Sequence, residues 1–156
     1  MSDPSVTADV ASYLREGHAS MREIVASVSA PALDWKPGEG TNSIAALVSH
    51  ALDAERFLTA LVAGITLPRD REAAFRVEGM TAERLLAEID AVEQDVDVHL
   101  ALVTHERLST TIQRPNQTAT GAGMLLHATA HSREHIGQAR LTRQLAEQAG
   151  VGVDRD

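Results

Sequence analysis

Apolar residues recur at helical spacing in four stretches of the chain, and nothing alternates convincingly as a long strand. The first predicted helix covers about 7–29, with Val10, Tyr13, Leu14, Gly17, Met21, Ile24, Val25 and Val28 on one stripe and Arg15 and Arg22 opposite. His18 falls on the margin of that stripe, as a partly exposed flank residue would. Between 30 and 42, Pro31, Pro37, Gly38 and Gly40 surround the lone Trp35, which reads as a loop pinned by its indole. Asn42 or Ser43 caps the second helix, about 43–63, and Gly64 stops it. Its inner face carries Leu47, His50, Ala54, Phe57 and Leu61. Val48 and Leu52 lie on the outer side without an evident core duty, which is compatible with a partner surface.

The stretch 65–80 holds Pro68, Gly79 and mixed charge, and Thr81 then caps a third helix of about 81–104. Leu85, Ile89, Val92, Val96, His99 and Val103 line its inner face. The next connection, 105–119, suggests a short extended stretch over 108–112 and a turn at Arg114-Pro115-Asn116. Thr120 caps the last helix, about 120–149, which Gly150 stops, leaving a polar tail, 151–156, expected to fray. Four amphipathic helices predict an all-α fold, a four-helix bundle forming one domain over 1–156. Two connections of about fifteen residues exceed the roughly 2–8 that neighbouring antiparallel helices need, so long crossover connections are expected.

Composition narrows the chemistry. A net charge of −8, a pI near 5.3 and only 14 Lys and Arg argue against nucleic acid as a partner. The acidic run between 78 and 97 reads as the solvated face of its helix. No cysteine is present, which removes disulfides, protein thiol nucleophiles and thiolate metal ligands. No basic leader and no apolar run of about 18–20 residues occurs, so no membrane association and a cytoplasmic location are expected.

Histidine, carboxylate and water remain for metal chemistry, and the run His127-Ala-Thr-Ala-His131-Ser-Arg-Glu-His135-Ile-Gly-Gln concentrates the first. Residues four apart share a helix face, so His131 and His135 aim at one point while Arg133, Arg140 and Glu147 fall opposite. With His50 at the centre of the second helix's inner face, three imidazoles and an open position match a catalytic divalent site. His127 and His99 compete for the same role if the helices rotate slightly. Gln138 is placed to bond a bound water or orient a ligand, and Glu134 is angled aside toward the surface. No nucleophile elbow, Walker loop, dinucleotide fingerprint or di-iron Glu-x-x-His pattern occurs.

Leu33-Asp-Trp35-Lys-Pro37-Gly-Glu-Gly40 leading into Ser43-Ile-Ala-Ala-Leu-Val-Ser-His50, with His131-Ser-Arg-Glu-His135-Ile-Gly137-Gln138, resembles the DinB/YfiT-like superfamily of small four-helix metal proteins. The resemblance implies an up-down-down-up bundle, often dimeric, in which His50, His131 and His135 hold one divalent ion: Zn or Ni first, Fe or Mn also suited. It further implies a metal-dependent enzyme acting on a small molecule, such as a low-molecular-weight-thiol S-transferase whose cosubstrate brings the sulfur. The mycothiol-dependent isomerases of that group carry an extra C-terminal domain with no counterpart in this sequence, so their particular activity is not expected. A metal-dependent hydrolase would use the same three ligands, and a non-catalytic, stress-associated metal-binding or dimeric interaction protein is the other alternative.

Overall fold

The computed structural model describes residues 4–152. In chain order its elements are α1 (Pro4–Ala26), α2 (Ala30–Asp34), α3 (Ile44–Ala63), a 3₁₀ turn (Ala73–Arg76), α4 (Ala82–Leu102), α5 (His105–Ser109), β1 (Thr111–Arg114), β2 (Gln117–Thr120) and α6 (Gly121–Ala149). The starts of the last three long helices follow from their caps. The hydroxyls of Ser43, Thr81 and Thr120 accept from the backbone N–H of Ala46, Arg84 and Gly123 at 3.2, 3.2 and 3.1 Å, each worth about 1 kcal/mol. Gly64 and Gly150, at φ 84° and 72°, take the left-handed conformation that ends α3 and α6.

Ion pairs and hydrogen bonds between helices give their directions. Arg15, His18 and Arg22 meet Asp97, Glu93 and Asp90, so α1 and α4 run antiparallel. Ser49 and Thr59 meet Glu88 and His99, so α3 and α4 run parallel. Glu16, Ser20 and Ser27 meet Arg133, Arg140 and Arg143, so α1 and α6 also run parallel. With α3 packed on α6 as well, the order is up-down-down-up. Parallel neighbours need a long return: α4 starts beside the start of α3, so residues 64–81 must climb back along a helix of roughly 30 Å. That strap passes over the face of α3 that carries His50.

Several sequence expectations change at this point. Val48 and Leu52 are 2% and 0% exposed, so they form no partner surface. The first half of α3 has no outer side, because α2, α4, α6 and the strap's 3₁₀ turn pack around it. The first helix ends at Ala26, where the Ser27 hydroxyl turns back to the Ile24 carbonyl, and Pro31 then sits in the first turn of α2 instead of a loop. The indole of Trp35 does pack against the core. The tail is tied at its start, since the Ser29 N–H donates to the Gly152 carbonyl at 2.8 Å; 153–156 lie outside the described residues.

The acidic stretch of α4 stays solvated at Glu83, Asp90 and Asp97, the side chains of the last two 61% and 42% exposed, and is at the same time ion-paired to the neighbouring helices. Asp90 and Glu93 receive Arg22, Asp95 receives Arg56, and Asp97 receives Arg15. His18 is fully buried, with Nε2 2.6 Å from Glu55 and Nδ1 2.9 Å from Glu93. Burial opposes charge on this imidazole, but the two carboxylates outweigh it and hold its pKa above the ordinary range.

The second connection folds as α5 followed by a hairpin, with Thr111 opposite Thr120 and Ile112 opposite Ala119. Pro115, with its fixed φ, suits the first of the two turn residues. Arg107 of α5 donates to the Val62 and Leu61 carbonyls at 2.9 and 2.8 Å, satisfying the end of α3. Where α5 crosses the start of α6, a Cβ at Gly121 would collide with the backbone carbonyl of Arg107. Gly121→Ala should therefore cost about 1–3 kcal/mol in a thermal melt. Gly137→Ala, on an open face of α6, should instead stabilise by up to about 1 kcal/mol; equal effects would contradict this packing.

Candidate metal centre

His50 lies two turns beyond the Ser43 cap, in the most enclosed part of α3, and is 1% exposed. His131 and His135 sit half-buried at the edge of the buried stripe of α6, which runs through Met124, Leu125, Ala128, Ser132, Ile136 and Ala139. Because α3 and α6 are neighbours, the three rings converge. Ring centroids lie 5.0 Å apart for His50 and His131, 4.8 Å for His50 and His135, and 4.5 Å for His131 and His135. One nitrogen from each lies within 4.8 Å of the others.

The donor set fits a divalent ion. Nε2 of His131 and Nε2 of His135 are 3.2 Å apart, and two nitrogens bound to one tetrahedral zinc at about 2.0–2.1 Å would stand roughly 3.3 Å apart. Nδ1 of His50 is buried without a hydrogen-bond partner, and a buried polar group left so costs on the order of 1–3 kcal/mol. Desolvation, then the neighbouring imidazoles, then Arg71 and Arg69 push His50 down to about 3. Desolvation, His135, His127 and the same arginines push His131 down to about 4. Both are therefore neutral at physiological pH, the form that coordinates a metal.

Neighbouring side chains fix the rings. Nδ1 of His135 is 2.8 Å from Oε1 of Gln138, whose amide nitrogen reaches Glu134 at 3.5 Å. An amide oxygen accepts, so His135 donates from Nδ1 and leaves Nε2 as its free lone pair. On α3, the Phe75 ring stacks on His50 with centroids 3.9 Å apart and planes 27° apart, covering the imidazole from the strap.

His127 stands one turn away, its ring 5.8 Å from that of His131, half-buried and outside the cluster. His99 is not brought to the site: its Nδ1 is 2.9 Å from the Thr59 hydroxyl, on the α3–α4 seam. Glu134 is exposed and acts only through Gln138. Phe75, Arg69 and Arg71 were not legible as site residues, since only the parallel placement of α3 and α4 lays the strap across His50. A cleft of about 680 Å³ lies elsewhere, between α1 and α6 beside the exposed Tyr13 and Leu126. No helix among the described residues is long and apolar enough to cross a membrane.

Comparison with known proteins places these features in a family. The DinB superfamily model matches residues 13–139. A conserved protein from Enterococcus faecalis superposes with TM-score 0.77 at 19% identity, covering 95% of this chain and 99% of that one. YfiT from Bacillus subtilis, described as a probable metal-dependent hydrolase with an unusual four-helix bundle topology, superposes with TM-score 0.70 at 17% identity over 97% and 91%. A variant of the mycothiol-dependent maleylpyruvate isomerase gives 0.65 at 12% identity, over 84% of this chain but 59% of that longer one. No curated protein matches the sequence.

Proposed function

The chain belongs to the DinB superfamily, and from that premise we propose that His50, His131 and His135 hold one divalent ion, zinc or nickel before iron or manganese, in a metal-dependent enzyme of the low-molecular-weight-thiol S-transferase class. The convergence of one nitrogen from each of three imidazoles within 4.8 Å carries the reading. When bound, the ion supplies a Lewis acid with an open position, which lowers the pKa of a thiol or water brought beside it. Phe75 shields His50 from solvent, and Gln138 with Glu134 keeps Nε2 of His135 aimed inward. His127 stands outside the ligand set with its ring 5.8 Å from that of His131, and its imidazole would take the proton that a thiol loses on binding beside the ion. A cysteine-free chain supports a sulfur that arrives with the cosubstrate.

The likeness to YfiT favours a second reading, a hydrolase using the same ligands. A homodimer in the cytoplasm is part of the proposal, with the apolar α1–α6 cleft in place of Val48 and Leu52 as the surface to be covered. Nucleic acid is left out of it, given the net charge of −8.

Conjugation of bacillithiol, mycothiol or glutathione to monochlorobimane tests the assignment. Turnover should vanish on chelation, return with zinc or nickel, and fall at least tenfold in His127→Gln at unchanged metal content. Metal-dependent ester hydrolysis without conjugation would select the hydrolase. Turnover indifferent to chelation, or loss of helical circular dichroism on chelation, would contradict a catalytic ion.

A further inference from the structure

Three arginines gather beside the histidines in a protein whose net charge is −8. Arg69 lies with its guanidinium carbon 4.6 Å from the Phe57 ring centroid, and Arg114, at the end of β1, lies 5.7 Å from the same ring. Arg71 and Arg69 are near enough to act on both His50 and His131. Asp53 neutralises only Arg69, at 2.7 Å. Arg71 is exposed and forms no ion pair among the described residues. Arg114 is half-buried, and its Nη1 is buried with no hydrogen-bond partner. Burial, then Arg69 and Arg71, lowers the Arg114 pKa from its ordinary value. A cavity of about 150 Å³, lined by Asp53, Arg56, Phe57, Leu67, Pro68 and Arg69, opens on the Arg69 side of the Phe57 ring.

An uncompensated guanidinium with a buried, unbonded nitrogen is expensive, and like charges around it raise that cost. Structural arginines in this fold are satisfied: Arg107 bonds two carbonyls, and Arg22 bonds Asp90 and Glu93. With Asp53 set against Arg69, Arg114 and Arg71 leave about two uncompensated positive charges in a cluster whose Arg69 and Arg71 also act on His50 and His131, and a planar fork matches the two oxygens of a carboxylate or phosphoryl group.

We infer that Arg114, with Arg71 and Arg69, forms an oxyanion-binding subsite that takes a carboxylate or phosphate group of a small molecule whose other end reaches the three histidines. The substrate is then an organic acid or phosphate ester, not a neutral molecule. The subsite goes beyond the metal reading and is tested without it. Succinate and inorganic phosphate are titrated at low ionic strength into metal-free His131→Ala protein, followed by calorimetry and by the NMR signals of the Phe57 ring. One equivalent of at least one probe should bind, shifting Phe57, and the tighter probe distinguishes carboxylate from phosphate. Arg114→Gln in that background should weaken binding at least tenfold. Arg71→Gln, at an exposed position that leaves folding intact, should weaken it severalfold, while the remote Arg84→Gln should not. No saturable binding, or equal binding by the Arg71 and Arg84 variants, would overturn the subsite whatever the metal content shows.

Discussion

Replacing His18 with leucine should cost the bundle about 3–5 kcal/mol, the loss that follows when one partner of a buried ion pair is removed. For a chain of this length that is a fall in melting temperature of roughly 6–20 °C. His18 is 0% and Glu55 1% exposed, and Oε1 of Glu55 already lacks a hydrogen-bond partner. Without the imidazole, the whole Glu55 carboxylate is stranded in the core. Glu93 keeps Arg22 and is spared. His18→Leu combined with Glu55→Leu should therefore recover most of the loss, because an apolar pair of similar volume replaces a charged one. The pKa of His18 is raised, so its contribution is fully present below about pH 6.5 and is lost as pH rises through the higher folded-state value. The stability gap between wild type and His18→Leu should thus be widest near pH 6 and narrow in alkali. Melts at pH 6 and pH 9 check this; a gap that widens in alkali would contradict the assigned charge state.

That network also shows where sequence reading stops. Caps and glycine stops were legible because their signals are local: Ser43, Thr81, Thr120, Gly64 and Gly150 act on atoms within a few residues. The convergence of His50 with His131 and His135 was legible because helix periodicity places each on a face and bundle packing brings the faces together. His18 was misplaced because its partners sit on two other helices, and a wheel drawn for α1 alone shows no carboxylate. Val48 and Leu52 were misread for the same reason, since the strap and α2 that cover α3 leave no periodic trace. In the hairpin, Ile112 and Ala119 are the apolar residues that face each other across the strands, too few to show alternation. Only part of it was anticipated, in the extended stretch and the turn at Pro115.

Alanine at His50, His131 or His135 should lower zinc affinity by more than about 100-fold, beyond the 10–100-fold that loss of an orienting partner such as Gln138 brings. His99→Ala and His127→Ala should leave affinity within a few-fold of wild type, because the first is committed to Thr59 and the second stands outside the cluster. With His50 held at about 3 and His131 at about 4, protons should compete for these two ligands only below about pH 5. The apo protein should remain helical, since the core of α1, α3, α4 and α6 forms without the ion. At a thousandfold excess over the dissociation constant, zinc should add about 4 kcal/mol by mass action.

The central claim is a three-imidazole ion site with an open position, and X-ray absorption on zinc-titrated apo protein measures it most directly. Binding should saturate at one ion per chain, with three imidazole nitrogens near 2.0–2.1 Å and a further light-atom ligand. Fewer than three imidazoles around the ion, or a spectrum unchanged in His50→Ala, would contradict it.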